Sequence, residues 1–552
     1  MSTGEIDARQ RADALRRLGT GTFDVLVIGG GITGAGAALD AASRGLRVAL
    51  VEARDLASGT SSRSSKLIHG GLRYLEQRDF KLVREALHER DLLVSKLAPH
   101  LVRPVPFMYP LYKKVVERPY VGAGLALYDA MEGPRRPVPF HRHLTIRGAT
   151  RKAPSLRTDG LAGAMTYYDA QVDDARYTLT VARTAVAHGA LVVTRARAES
   201  LLRSGKKVIG ARVRDEETGR YTDVTAARVV VCAGVWSDGV LSDMPSGYKV
   251  RMSKGVHIVV PRDTISSDTG MILRTERSVL FFIPWDDRWI VGTTDTDWSG
   301  DPATVAADET DVSYILDHAN RVLARPLTRS DVLAVYAGLR PLVDTGSSST
   351  TKISREHVVD IPAPGLVSIA GGKFTTYRIM ARDVIDAAVA DLGREVPPSV
   401  TSELPLLGAD GLPGVRASAS RLAEDFGVPV ASVEHLLSRY GSLTPRVLSL
   451  ASPDSSLARP LVDGYPYLGA EVAYAVTCEG ALKVEDVLAR RTRLLIESDD
   501  QGVPVAPAVA STMGGLLGWG RKRRSAEVRA YEELAEGDNA ALASAGLSLS
   551  AG

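Results

Sequence analysis

Three glycines in "GGGITGAG", residues 29–36, have a spacing that lets main chain approach a phosphate: Gly29, Gly31 and Gly34 read G-x-G-x-x-G. Such glycines permit a tight turn, close approach of a pyrophosphate and close packing of a helix on a strand. Glu52 ends the next apolar run, at the distance where an acid bonds ribose hydroxyls. An acid there disfavours a 2′-phosphate, and so NADP, but does not separate NAD from FAD. A second glycine pair, Gly371 and Gly372, precedes Lys373 at a helix start, where a cation is unfavourable unless it meets an anion. His257, in the apolar stretch "VHIVV", has an ordinary pKa of about 6.5 and fits two readings, a proton acceptor or a core histidine bonded to backbone. His69 in "LIHGG" competes for the acceptor role.

Those residues need elements to hold them. Val25 to Ile28 are continuously apolar, as in a strand buried on both faces of a parallel sheet. Ala35 to Ser43 read as a small-residue helix that Gly45 can end, and "RVALVE", residues 47–52, as a second strand. The three complete a βαβ unit. "ARVVVCAGVWSD", residues 227–238, is a further apolar strand, and "LVSIAGGKFTTYRIMARDVIDAAVADLG" predicts a strand, the Gly-Gly turn and a helix. A nucleotide domain is thus assembled from separated segments, with a substrate domain inserted between them. "GALVVTRARAESLL", "KVIGARVRD" and "SVLFFIPW" have strand-like content and predict a largely antiparallel sheet for that second domain. Beyond about residue 400 helical periodicity predicts a C-terminal all-α domain to residue 537, then a disordered tail over 538–552. "QGVPVAPAVASTMGGLLGWG", residues 501–520, is long enough to cross a bilayer, but its glycines and prolines predict a loop running into a short helix.

With 552 residues, 45% hydrophobic and 24% charged, the chain has the composition of a soluble globular protein of two or three domains. A net charge of +3 implies no nucleic-acid partner. Two distant cysteines, Cys232 and Cys478, exclude a disulfide framework and a zinc site and read as small buried apolar residues. The first 22 residues contain no apolar core segment, so no secretory signal is expected and a cytoplasmic location is.

The sequence resembles the FAD-dependent (respiratory) glycerol-3-phosphate dehydrogenases. "IGGGITGAGAALDAASRG" matches that family's N-terminal pattern and "GGKFTTYRIMA" its second signature; "SSKLIHGGLRYLE", "DARYTLTVARTAVAHGA", "KGVHIVVP", "IPWDDRWIVGTTDT" and "AGLRPL" fall between them in the family's order. The likeness covers residues 23 to about 395 closely. It implies a Rossmann-like α/β fold of the glutathione-reductase/amino-acid-oxidase type, with FAD-binding segments near 23–100, 190–245 and 335–395. Substrate segments would then lie near 100–190 and 246–335, after an N-terminal extension of residues 1–22. The implied cofactor contacts, beside the glycines and Glu52, are Thr60, Ser61, Ser62, Lys66, Leu67, Ala233, Gly234, Trp236, Gly338, Gly371, Gly372, Lys373, Phe374 and Thr375. Arg73 and Tyr74 in "GGLRYL" are implied beside the active site with His257 and Lys373.

A phosphate clamp calls for arginine, whose planar fork meets phosphate oxygens two at a time. Arg340 in "AGLRPL" and Arg355 in "TKISREH" are the candidates, since the resemblance turns both segments toward the flavin. One departure stands out: where the family pattern has an arginine before the "VxFxIPW" strand, this chain has Ser278, with Arg277 one position earlier. The implied reaction is oxidation of sn-glycerol 3-phosphate to dihydroxyacetone phosphate, with electrons passed to a membrane quinone. Two other readings share the fold, a glycine-oxidase-like amine oxidase and a non-catalytic flavin-binding protein. With no haem or iron–sulfur motif, the electrons need an external acceptor. Residues 514–524, "GGLLGWGRKRR", and the aromatic, basic stretch 109–128 are the candidate surfaces for a peripheral membrane contact on the inner face. A homodimer is compatible with these features.

Overall fold

Five parallel strands build the sheet that carries the glycine turn. In spatial order they are Leu366–Gly371, Tyr221–Val231, Thr22–Ile28, Val48–Val51 and Leu191–Val193. The computed structural model describes residues 4–76, 79–112, 117–132, 136–276, 279–344 and 356–543. Val25 and Val27 face one core, Leu26 and Ile28 another, which is why the first strand is apolar without alternation. On one face the helix Ile32–Ser43 lies between Asp174–Ala187 and Tyr377–Val389. Its alanines make that three-helix contact close; a Cβ on Gly36 would press within 2.9 Å of the Tyr377 ring. The helix Ala8–Thr20, capped by Asp7, packs on the opposite face through Ala14 and Leu18.

Four segments sit elsewhere than strand content or the expected segment bounds put them. "GALVVTRARAESLL" and "KVIGARVRD" belong to the first sheet: Leu191–Val193 is its edge, and the hairpin Ala196–Ser204/Lys207–Asp215 continues from Tyr221–Val231. Helix Asp174–Ala187, expected within the substrate segment, also packs on the nucleotide sheet. Conversely Ala334–Val343, expected in the last FAD-binding segment, pairs along Val250–Pro261 in the second sheet. Strand propensity does not choose a strand's partner.

Among the described residues the second sheet has ten strands, largely antiparallel, with Val250–Pro261, Ala334–Val343, Val102–Leu111 and Gly163–Val172 its long members. The C-terminal helices pack directly onto it: Tyr467, Val472, Val509 and Met513 share one core with Phe107, Phe281 and Trp285. In the stretch 501–520, expected as a loop running into a short helix, Ala506–Leu517 form a helix with Val509, Ala510 and Met513 buried. Among the described residues no helix is long and apolar enough to cross a membrane. The last helix, Arg521–Ala543, runs past 537, so residues 538–543 are helical rather than tail; 544–552 lie outside the described residues.

His100 sits in the seam between the body and the C-terminal helices, against Gly408 and Gly441. Burial pushes its imidazole down to about 4. An unfolded chain takes up that proton below about 6.5 and the folded one does not, so stability is full above 6.5 and falls as pH drops toward 4. This one group should remove about 2 kcal/mol between pH 7 and pH 5. His100→Gln is expected to shrink the acid-side fall in urea midpoint correspondingly; an unchanged fall would contradict it.

Candidate active site

A cavity of about 910 Å³ runs along the junction of the two sheets, from the glycine turn to Phe281 and Arg274. Gly29 has φ +113°, where an L side chain is strained, and a Cβ there would stand 2.5 Å from the Cys232 carbonyl oxygen. A Cβ on Gly34 would overlap the carbonyl oxygen of Gly29, so this glycine sets how closely helix meets strand. Gly31 differs. It caps the Ile32–Ser43 helix, lines the cavity, and its absent Cβ would meet only Ser61 Oγ, at 3.2 Å. The space over Gly31, at a helix N-terminus, is therefore open to a phosphate. Glu52 lies beside it, accepting from Gly30 N–H at 2.6 Å and Arg54 N–H at 2.7 Å. Burial nonetheless pushes its carboxyl upward.

Thr60 and Ser61 line the cavity: Thr60 Oγ1 donates to the Leu339 carbonyl at 2.7 Å, and Ser61 Oγ accepts the Ile32 N–H at 2.9 Å. Two neighbours do not line it. Lys66, at φ +56°, turns into the protein, where Nζ meets Asp174 at 2.9 Å and the Ser62 carbonyl at 3.1 Å. Burial and Arg493 bring this ammonium down to about 8. Ser62 gives its hydroxyl to Gly59. Their cations and hydroxyls are engaged within the fold, which a Ser-rich run without periodicity could not reveal. Leu67, Ala233, Gly234, Trp236, Gly338, Gly371, Gly372, Phe374 and Thr375 all line the cavity. Arg54, not singled out from sequence, lies over the Trp236 ring at 4.7 Å.

At the other end the sheet register assembles the polar groups. On Val250–Pro261 and Ala334–Val343, His257 pairs with Tyr336 and Ser253 with Arg340. The His257 ring stacks on Tyr336, centroids 4.8 Å apart, and Nε2 meets Ser65 Oγ at 2.9 Å. Burial, then the charges of Arg340 and Lys66, hold its pKa well below the usual value, so the ring is neutral at pH 7. Of the two readings left open by the sequence, the ring's partner is a side-chain hydroxyl, and it lines the cavity. Arg340 donates to Thr293 Oγ1 at 3.0 Å and the Thr294 carbonyl at 3.2 Å, with Asp295 3.6 Å away. Lys373 Nζ lies 3.7 Å from the Tyr74 ring centroid, and that ring packs on Gly71, at φ +78°, where a Cβ would stand 2.3 Å from it. Arg73 opens the short helix Arg73–Glu76 that carries Tyr74. His69, also on the cavity, exchanges main-chain bonds with Thr375 Oγ1. Arg355, Arg277 and Ser278 lie outside the described residues. Ser65, Asp295 and Asp169 on the cavity were missed; each stands within a quoted or adjoining motif, but only the tertiary contact distinguishes it.

Comparison with known proteins agrees with this geometry. A family described as FAD dependent oxidoreductase matches residues 24–386, and one described as the C-terminal domain of alpha-glycerophosphate oxidase matches 399–524. Glycerol-3-phosphate dehydrogenase 2 of Mycobacterium tuberculosis is 54% identical over 524 residues, 95% of this chain and 89% of that protein. The human mitochondrial glycerol-3-phosphate dehydrogenase is 39% identical, over 92% of this chain and 72% of its own. Among solved structures, the glycerol-3-phosphate dehydrogenase from Bacillus halodurans complexed with FAD has a TM-score of 0.79 at 30% identity, covering 96% of this chain and 98% of that one. Fold and cavity are those of an FAD-dependent oxidoreductase. Within that class, the chain belongs to the FAD-dependent glycerol-3-phosphate dehydrogenase family.

The two glycines make separable predictions. Gly31→Val should fold, with a melting temperature near that of wild-type apoprotein, yet purify without flavin absorbance. Gly34→Ala should fail to fold, because its Cβ meets main chain that cannot yield. A yellow, FAD-loaded Gly31→Val protein would contradict the phosphate cradle.

Proposed function

We propose that this enzyme oxidises sn-glycerol 3-phosphate to dihydroxyacetone phosphate and passes the electrons to a quinone at a membrane surface. The observation that carries the reading is the pairing of a neutral, buried His257 with Arg340 in one cavity. A phosphate monoester carries about 1.5 to 2 negative charges at pH 7. Arg340, braced by Thr293 and Thr294, presents a fixed guanidinium for it, with Lys373 as a second cation and Arg355 as a third from the sequence. FAD, when bound, supplies the acceptor for the hydride leaving the substrate carbinol carbon. His257 takes the hydroxyl proton. Its low pKa keeps it in the basic form but makes it a weak base, so proton removal is favourable only as the hydride departs. Ser65 Oγ, 2.9 Å from Nε2, orients the ring for that transfer.

Anaerobic addition of glycerol 3-phosphate should bleach the flavin absorbance, while glycerol and glycine should not. Arg340→Ala should lower kcat/KM for glycerol 3-phosphate by roughly 10- to 100-fold, from charge-assisted bonds of about 1.5–3 kcal/mol. Equal bleaching by glycerol overturns the clamp, and bleaching by glycine alone favours an amine oxidase.

For the membrane contact, residues 514–524 keep Leu516, Arg521 and Lys522 exposed, but Leu517 and Trp519 pack against the core and Arg523 is bonded to Glu217 and Glu527. Of the other stretch, residues 113–116 lie outside the described residues. Its helix Glu117–Glu132 exposes Tyr120 and Leu127, and the following segment exposes Phe140 and Ile146. Arg142, Arg147, Arg151 and Lys152 are exposed alongside. Apolar side chains among cations suit the interface of an anionic bilayer. The protein should co-sediment with anionic vesicles at low salt, less so at high salt. Neutralising these four cations should release it, whereas neutralising residues 521–524 should not. Recovery of the wild type in the supernatant at low salt would overturn the assignment.

A further inference from the structure

Among the charges by which the C-terminal helices meet the rest of the molecule, two reach one loop on the cofactor side, through Arg493 and Asp538. The loop runs from Ala57 to Lys66, with both end residues at positive φ, 61° and 56°. Neither is glycine, so these conformations persist only where surroundings enforce them. Between them lie Thr60 and Ser61 at the cavity wall, with Ser61 bonded to the first N–H of the helix that faces the cofactor phosphates. Ser65, near the far end, bonds His257.

What enforces the loop is a buried carboxylate shared by two chain regions. Asp174 accepts from Lys66 Nζ at 2.9 Å through Oδ1, and from Ser64 N–H at 2.9 Å and Ser64 Oγ at 2.7 Å through Oδ2. Arg493, from the C-terminal helices, completes it: Nη2 donates to Asp174 Oδ1 at 3.1 Å and to the Ser62 carbonyl at 3.0 Å. Arg493 itself has φ +137° and a side chain 2% exposed, so its backbone is bent to deliver the guanidinium there. Two neighbours repeat the pattern just before the loop, where Arg490 and Arg491 both bind Asp55. Asp538, on the last helix, takes Arg63 in a two-pronged pair at 3.1 Å.

We infer that Arg493 is a positioning residue for FAD: through Ser62 and Asp174 it holds the 57–66 loop in its cofactor-binding conformation, so the C-terminal helical domain acts as a clamp on the cofactor site. The inference rests on FAD occupying the cavity over Gly31. With the guanidinium gone, Asp174 keeps Lys66 and Ser64, but the Ser62 carbonyl loses one of its two charged donors, keeping only Lys66 Nζ, and the loop gains freedom beside the phosphates.

The test is the rate of FAD release from purified holoenzyme on dilution, followed by recovery of flavin fluorescence, together with the melting temperature. Arg493→Met should release FAD at least tenfold faster than wild type, and Arg493→Lys should fall between. Arg183→Met is the control: Arg183 joins Gly4, Tyr474 and Glu479 and loosens the same domain contact away from the loop. It should lower the melting temperature while leaving FAD release within twofold of wild type. Wild-type release from Arg493→Met overturns the inference, as does equal release from Arg183→Met at equal loss of melting temperature. If Arg493→Met does not fold, Asp538→Asn decides: release two- to fivefold faster supports the clamp, and a wild-type rate overturns it. A wild type that purifies without FAD would instead refute the cofactor assignment.

Discussion

The cofactor half of the molecule depends on how near the Ile32–Ser43 helix can come to the Thr22–Ile28 strand. With hydrogen in place of a Cβ at Gly34, the helix start rests on the carbonyl of Gly29. This aims the main-chain N–H groups of its first turn along the cavity, where the helix dipole favours negative charge. The same approach lets Glu52 reach the Gly30 N–H, so the acid at the end of the second strand stiffens the turn it sits beside. Small residues along the helix extend that economy of space to its neighbours, and Gly36 lies under Tyr377.

From this turn the chain passes to the chemistry through one loop. Residues 57–66 leave the parallel sheet, and Leu67–Ile68 join the second sheet immediately after. A loop lined with serine would be free to move in water. Here a fully buried aspartate gathers it against a lysine and a distant arginine, and the burial of so many charges is tolerable because each meets an opposite one. Ser65 carries the consequence onward to His257, tying the ring that would move a proton to the loop that would hold a cofactor.

Electrostatics at the substrate end pull in two directions. Burial is the main reason that protonation of His257 is disfavoured, and the charges of Arg340, which would draw in a phosphate, and of Lys66 add to it. The imidazole is therefore kept in its basic form. Asp295 beside Arg340 and the Tyr74 ring beside Lys373 temper that positive field and hold the cations in place.

Much of this protein was legible from local pattern. The unbroken apolar run Val25–Ile28, the glycine spacing after it and the helical period after Gly372 each express a short-range rule, and the corresponding elements appear at Thr22–Ile28, Ile32–Ser43 and Tyr377–Val389. What local pattern could not decide was which strands pair. The 196–215 hairpin joins the nucleotide sheet and Ala334–Val343 the other, although the strand-like content of each suits either. Nor could it decide where a polar side chain points. Lys66 and Thr60 share one serine-rich run, yet Lys66 turns into the interior because Asp174, 108 residues away, is there to meet it. Arg493 reaches the same aspartate across 319 residues. Sequence alone determined the elements and the phosphate-binding turn, since those follow from the conformational limits and spacing of neighbouring residues. Tertiary structure decided the sheet partners and the buried charge pairs, because a strand edge or a buried charge is satisfied only by whatever partner the folded chain brings to it.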